Sequence, residues 1–89
     1  MKAIVTVIGI DRVGIIAKVC STLAEHKVNI LDISQTILQE YFTMLMLVDV
    51  SDSDISFSEL SKILKELGDE MGLSIRIQLK DIFDSMHRI

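Results

Sequence analysis

Gly9-Ile10-Asp11-Arg12-Val13-Gly14-Ile15-Ile16 is the stretch of this 89-residue chain whose residue types and spacing come closest to chemistry. Two glycines with four residues between them follow a β-branched run and precede a helical pattern, the outline of a phosphate loop. The lysine and hydroxyl residue that should come next are Ile15 and Ile16, so nucleotide phosphates would lose their cation and magnesium its ligand. Nucleotide hydrolysis is therefore rejected. What survives is a helix N-terminus whose free N–H groups attract a carboxylate or phosphate. Asp11 stands beside it to hold an ammonium group. Those two polarities match the two ends of an α-amino acid. The plainer alternative makes Asp11 a helix cap, Arg12 a solvated charge and Gly14 a close-packing residue.

Asn29-Ile30-Leu31-Asp32-Ile33-Ser34-Gln35 is the second segment of interest. Asn29 tolerates turn geometry, and its amide both donates and accepts. The plainer alternative is a turn residue followed by the polar face of an edge strand. Other reactive residue types fall short. Cys20 lies on an apolar helical stripe and reads as a buried structural thiol. Cys20 and His26 are six residues apart on one helix and point to different sides, so they make no metal site. His87 has no evident partner. Asp52-x-Asp54 opens like a calcium loop, but Phe57 takes the glycine position and Ile63 the glutamate position, which leaves a solvated loop. Met44 and Met46 read as core. No Ser/His/Asp or Cys/His arrangement emerges, so no metal, no cofactor and no enzymatic activity are expected.

The elements that must position these residues follow from periodicity. Ala3 to Ile8 is β-branched and ends at Gly9, a strand. From Val13 to about Lys27, residues Ile15, Ile16, Val19, Cys20, Leu23 and Ala24 fall on one helical stripe. Ile30 to Leu38 reads as a strand with Leu31, Ile33 and Ile37 on one face. Gln39-Glu40-Tyr41 is a hairpin turn, and Phe42 to Val50 a strand apolar on both faces. Ser56 with Glu59 has the form of a capping box, followed by Leu60, Ile63, Leu64, Leu67 and Met71 at helical spacing, with Gly72 as terminator. Leu73 to Leu79 alternates as a strand with one wet face. Asp81 to Ile89 adds a short helix. The order predicts an α+β fold: a ferredoxin-like βαββαβ sandwich with a four-stranded antiparallel sheet in the order 4-1-3-2, two helices on one face and a short C-terminal helix.

Composition sets the outer limits. The chain is 49% hydrophobic and 25% charged, which suits one globular domain spanning 1–89 and excludes intrinsic disorder. Nine Lys+Arg against 13 Asp+Glu give a net charge of −4, a poor balance for nucleic acid. No apolar run approaches the ~20 residues of a membrane helix. A single cysteine suits a reducing compartment, and the expected location is cytoplasmic.

Ile4-Val5-Thr6-Val7-Ile8-Gly9-Ile10-Asp11-Arg12-Val13-Gly14-Ile15-Ile16-Ala17 resembles the opening of an ACT domain. So does Leu23-Ala24-Glu25 leading into Asn29-Ile30-Leu31-Asp32-Ile33-Ser34-Gln35. The combination is similar to single-domain ACT proteins related to the glycine-cleavage-system repressor, and to the N-terminal ACT domain of formyltetrahydrofolate deformylase. The resemblance implies a ferredoxin-like regulatory module that senses small molecules, commonly amino acids, and associates in pairs. Its ligand would sit between subunits. Asp11, Arg12, Val13, Gly14 and Ile15 are implied on one side, and Asn29, Ile30 and Leu31 on the other. Two positions depart from the family's habit: Val13 stands where Pro is common, and Lys27 where Gly is common two residues before the Asn.

These readings converge on a free-standing module that binds an amino acid or related metabolite and acts through a separate protein target. The alternatives are a ligand-free interaction adaptor and, last, a small enzyme. A homodimer or larger homo-oligomer is expected, because both parities of the first and third strands are apolar and two helices cover only one sheet face. Pairing by the second strand's edge and packing by the open face both remain available.

Overall fold

The computed structural model describes residues 1–10 and 13–86. The chain runs β1 (Lys2–Ile10), α1 (Ile15–Glu25), β2 (Asn29–Leu38), β3 (Tyr41–Asp49), α2 (Phe57–Met71), β4 (Ser74–Leu79) and α3 (Lys80–Met86). The strands form one antiparallel sheet in the order β2-β3-β1-β4, the expected 4-1-3-2 read from the other side.

Alternation decides which residues meet the helices. Met46, Val5 and Ile77 form one row across the sheet, and Met44, Val7 and Ile75 the next. All six are buried. α1 adds Ile15, Val19 and Leu23 to this core, and α2 adds Leu60, Leu64 and Leu67. The buried stripe of α1 is narrower than its sequence suggests, since Ile16 and Ala24 are exposed. Cys20, expected to be buried, is only half-buried at the margin of the core, and partial desolvation pushes its thiol pKa up.

The other parity forms the helix-free face. Its rows are Leu47-Ile4-Gln78, Leu45-Thr6-Arg76 and Thr43-Ile8-Ser74. α3 folds back over part of this face beside β1 and β4, setting a half-buried Phe83 between two grooves. Its exposed Ile82 does not share that packing. The remainder of the expected C-terminal helix, 87–89 with His87 and Ile89, lies outside the described residues.

β2 departs from simple alternation. A bulge between Ile30 and Asp32 leaves Leu31 without a partner on β3. Leu31 thus leaves the face it was expected to share with Ile33 and Ile37, which pair with the buried Met46 and Phe42. Yet Ile33 and Ile37 are 40% and 56% exposed, because the helices stop short of this edge. The hairpin loop is two residues, Gln39-Glu40, and Tyr41 already belongs to β3.

α2 is held at both ends. Ser56 Oγ accepts the Glu59 N–H at 3.1 Å, and Gly72 closes the C-terminus with φ 71°. In its last turns, the Leu73 N–H donates to the Gly68 carbonyl at 2.7 Å. A Cβ on Gly68 would lie 2.7 Å from the Leu73 carbonyl oxygen, so only glycine allows this approach of helix to strand.

Candidate functional site

The first half of the candidate site is the turn into α1. Asp11 and Arg12 lie outside the described residues. Val13 is fully exposed, and Gly14 occupies the cap position with φ 91°. Among the described residues, no atom outside its chain neighbours lies within 4 Å of where a Gly14 Cβ would stand. Gly14 thus packs closely on no described residue, and its left-handed backbone is what calls for glycine here. The Gly14 carbonyl accepts the Lys18 N–H at 2.9 Å, starting the helix. Among the described residues no side chain caps the helix, and no acidic residue occupies its first turn. The N–H groups of Ile15, Ile16 and Ala17 precede any intrahelical partner and are donors at the positive end of the helix dipole. The Ile15 side chain, 2% exposed, belongs to the core, leaving its backbone as what it can offer a ligand.

The second half is the start of β2. Asn29 is exposed, Ile30 half-buried against the core and Leu31 exposed in the bulge. Asn29 pairs with Asp49, which in turn pairs with Lys2. Asp49 is already engaged: bonds from the Ser51 hydroxyl and its N–H (2.9 Å) lower its carboxyl pKa to about 2. The N-terminal ammonium lies 3.4 Å from the same carboxylate. Asp32 turns back on its own strand, accepting the Ile33 N–H at 2.9 Å on the free edge. Just ahead, Lys27 adopts φ 60°, which explains why glycine suits that position.

These two halves do not meet within one chain. Ile10, Tyr41 and Leu38 pair in a row at the end of the sheet that leads to Gly14, whereas Lys2, Asp49 and Asn29 pair at the other end. The length of β1 separates them, about 26 Å at the rise of a β-strand.

The remaining polar residues fall into structural roles. His26 Nδ1 lies 3.1 Å from Asp54 Oδ1, and the Asp54 N–H donates to the His26 carbonyl at 3.2 Å, so this pair ties the end of α1 to the loop before α2. Lys80 pairs with Asp84 one turn along α3, which raises the lysine pKa. Among the described residues, no group of three or more His, Cys, Asp or Glu could hold a metal ion, and no helix is long and apolar enough to cross a membrane. The sequence reading passed over Arg76, which lies in a groove on the helix-free face. Its signal was available: one cation among the outward residues of a strand whose other face is apolar.

Comparison with known proteins agrees with this geometry. A family model described as ACT domain matches residues 2–78. A UPF0237 protein of Clostridium acetobutylicum is 62% identical over 89 residues, covering 100% of both chains. Among solved structures, an ACT domain protein from Streptococcus pneumoniae superposes with a TM-score of 0.82 at 45% identity, over 94% of each chain. A putative glycine cleavage system transcriptional repressor gives 0.73 at 25% identity, over 86% of this chain and 44% of that one. A formyltetrahydrofolate deformylase from Pseudomonas syringae gives 0.75 at 26% identity, over 88% of this chain and 27% of that one.

Proposed function

Because the chain belongs to the ACT-domain family, we propose that it is a regulatory module that binds an amino acid or related metabolite between two copies of itself and acts through a separate protein. The observation that carries this reading is the separation of the two half-sites at opposite ends of the sheet. An antiparallel pairing of two β2 edges would reverse one chain against the other. Asn29 to Leu31 of one copy would then lie at the end where the partner begins α1. The edge is suited to it: β2 has ten residues, all but Ile30 exposed, and neither proline nor lysine to block pairing. Pairing there would exchange the Asp32–Ile33 contact for interchain backbone bonds.

In that arrangement the first N–H groups of α1 receive the ligand carboxylate, Asp11 holds its ammonium group and Asn29 contributes its amide. Arg12 and Val13 border the site. A thermal-shift screen of amino acids tests this, since a ligand selective for the native state raises the unfolding midpoint. One or a few amino acids are expected to raise it, and Asp11→Asn to remove that rise while leaving the unliganded midpoint in place. Ser34→Lys with Thr36→Lys, on the free edge, should lower the sedimenting mass from twice the 10.0 kDa chain mass to that of one chain and abolish ligand binding together with it. A wild-type mass of 10.0 kDa at micromolar concentration with amino acid present would remove the shared site.

A further inference from the structure

A groove of about 520 Å³ runs over the helix-free face between β1, β4 and α3. That volume falls within the range of small-molecule sites. One flank is polar, made by Thr6, Ser74, Arg76 and Gln78; the other is apolar, made by Ile8, Leu45 and Phe83. Register explains why they converge. Thr6 stands between Arg76 and Leu45, and Ile8 lies beside Ser74 in the next row.

Arg76 is the sole charged residue among the described ones that line the groove. It takes part in none of the ion pairs among the described residues, which join Met1 to Asp49, His26 to Asp54 and Lys80 to Asp84. A planar guanidinium flanked by two hydroxyls is a donor set for a carboxylate. Beside it, the Phe83 ring with Ile8 and Leu45 supplies an apolar wall for a chain. No described carboxylate lines the groove to neutralise a ligand ammonium, so an amino acid would leave its own cation next to Arg76 without a counterion.

We propose that this groove binds a small monocarboxylate carrying an apolar chain, such as a keto acid, and discriminates against the corresponding amino acid. Arg76 holds the carboxylate; Ile8, Leu45 and Phe83 hold the chain. The inference is independent of the amino-acid site at α1, since it uses a different face and requires no second copy.

Two probes with one carbon skeleton, α-ketoisocaproate and leucine, test it by amide chemical-shift mapping and calorimetry. The keto acid is expected to shift the resonances of Thr6, Leu45 and Arg76, and leucine to leave them in place. Arg76→Gln, at an exposed position that the core does not need, should weaken keto-acid binding by about tenfold or more, with Arg76→Lys recovering part of it. Phe83→Ala should weaken the keto acid while leaving its carboxylate contact intact. Three outcomes overturn the proposal: no shift on this face with the keto acid, undiminished binding by Arg76→Gln, or equal shifts with leucine. Leucine shifts confined to Gly14 and Asn29 would report on the other site and leave this one standing.

Discussion

The two long helices start on the same side of one sheet and treat their first turns in opposite ways. α2 begins with Ser56, whose hydroxyl takes the Glu59 N–H, and Glu59 itself places a negative charge against the helix dipole. α1 begins with Gly14 at the same position, and Ala17 stands where α2 has Glu59. α2 satisfies one of its terminal donors from its own sequence; among the described residues, no side chain does the same for α1. A side-chain cap contributes about 1 kcal/mol of stabilisation, which Ser56 supplies to α2 and no described residue supplies to α1. The difference separates a helix start closed by its own side chain from one that the proposed function assigns to a ligand.

Four changes test how deep this difference runs. Gly68→Ala should have the largest effect, a loss of about 1–3 kcal/mol in chemical denaturation, because its Cβ would press on the Leu73 carbonyl. Retained stability there would mean that α2 is less firmly tied to β4 than its geometry implies. Ser56→Ala should cost about 1 kcal/mol by removing the cap of α2; an unchanged denaturation midpoint would erase the contrast from the side of α2. Ala17→Glu should act in the other direction, adding about 0.3–1 kcal/mol by giving α1 the acid it lacks. The same substitution should weaken amino-acid binding in calorimetry, since the new carboxylate competes for the same donors. The smallest effect concerns Asp49, a carboxylate already supplied with donors. Its pKa of about 2 lies below the ordinary 3.8, so its contribution is complete above that value and falls away as pH drops toward 2. Asp49→Asn should flatten the stability profile across that acid window, with a slight loss of stability at neutral pH that disappears as pH falls toward 2.

Much of this architecture was legible in the residues. Clean alternation in β4, the double parity of β1 and β3, and the Ser56 and Gly72 signals fix element order and sheet order, because each reflects a local rule of burial or capping. The bulge at Leu31 carries no comparable signature, so the face of Leu31 was misassigned. Gly14 could be recognised as a necessary glycine, but its spacing does not separate left-handed backbone from tight packing. Cys20 shares a stripe with Val19 and Leu23, and periodicity alone cannot say where a helix rim rises out of the core. The two halves of the candidate site were nameable from resemblance, whereas their placement at opposite ends needed the sheet register. Arg76 drew no notice because a polar residue on a wet strand face is ordinary; its significance comes from what stands beside it in three dimensions.

The double apolar parity of β1 and β3 has a consequence for how the chain finds its alignment while folding. If β1 slipped by one residue, Ile4 and Ile8 would replace Val5 and Val7 beneath the helices, and hydrophobicity alone would scarcely object. The penalty has to come from the few residues on β1 that differ between its two faces. Thr6 would be carried into the core with its hydroxyl unpaired, at a cost of about 1–3 kcal/mol, and Lys2 would follow it inward. Gly9 would give up the place where Leu73 now fills the space of a missing side chain. Thr6 and Gly9 thus act as alignment keys in an otherwise permissive strand. Replacing Thr6 with valine would leave the native contacts largely intact while lowering the barrier against a misaligned sheet.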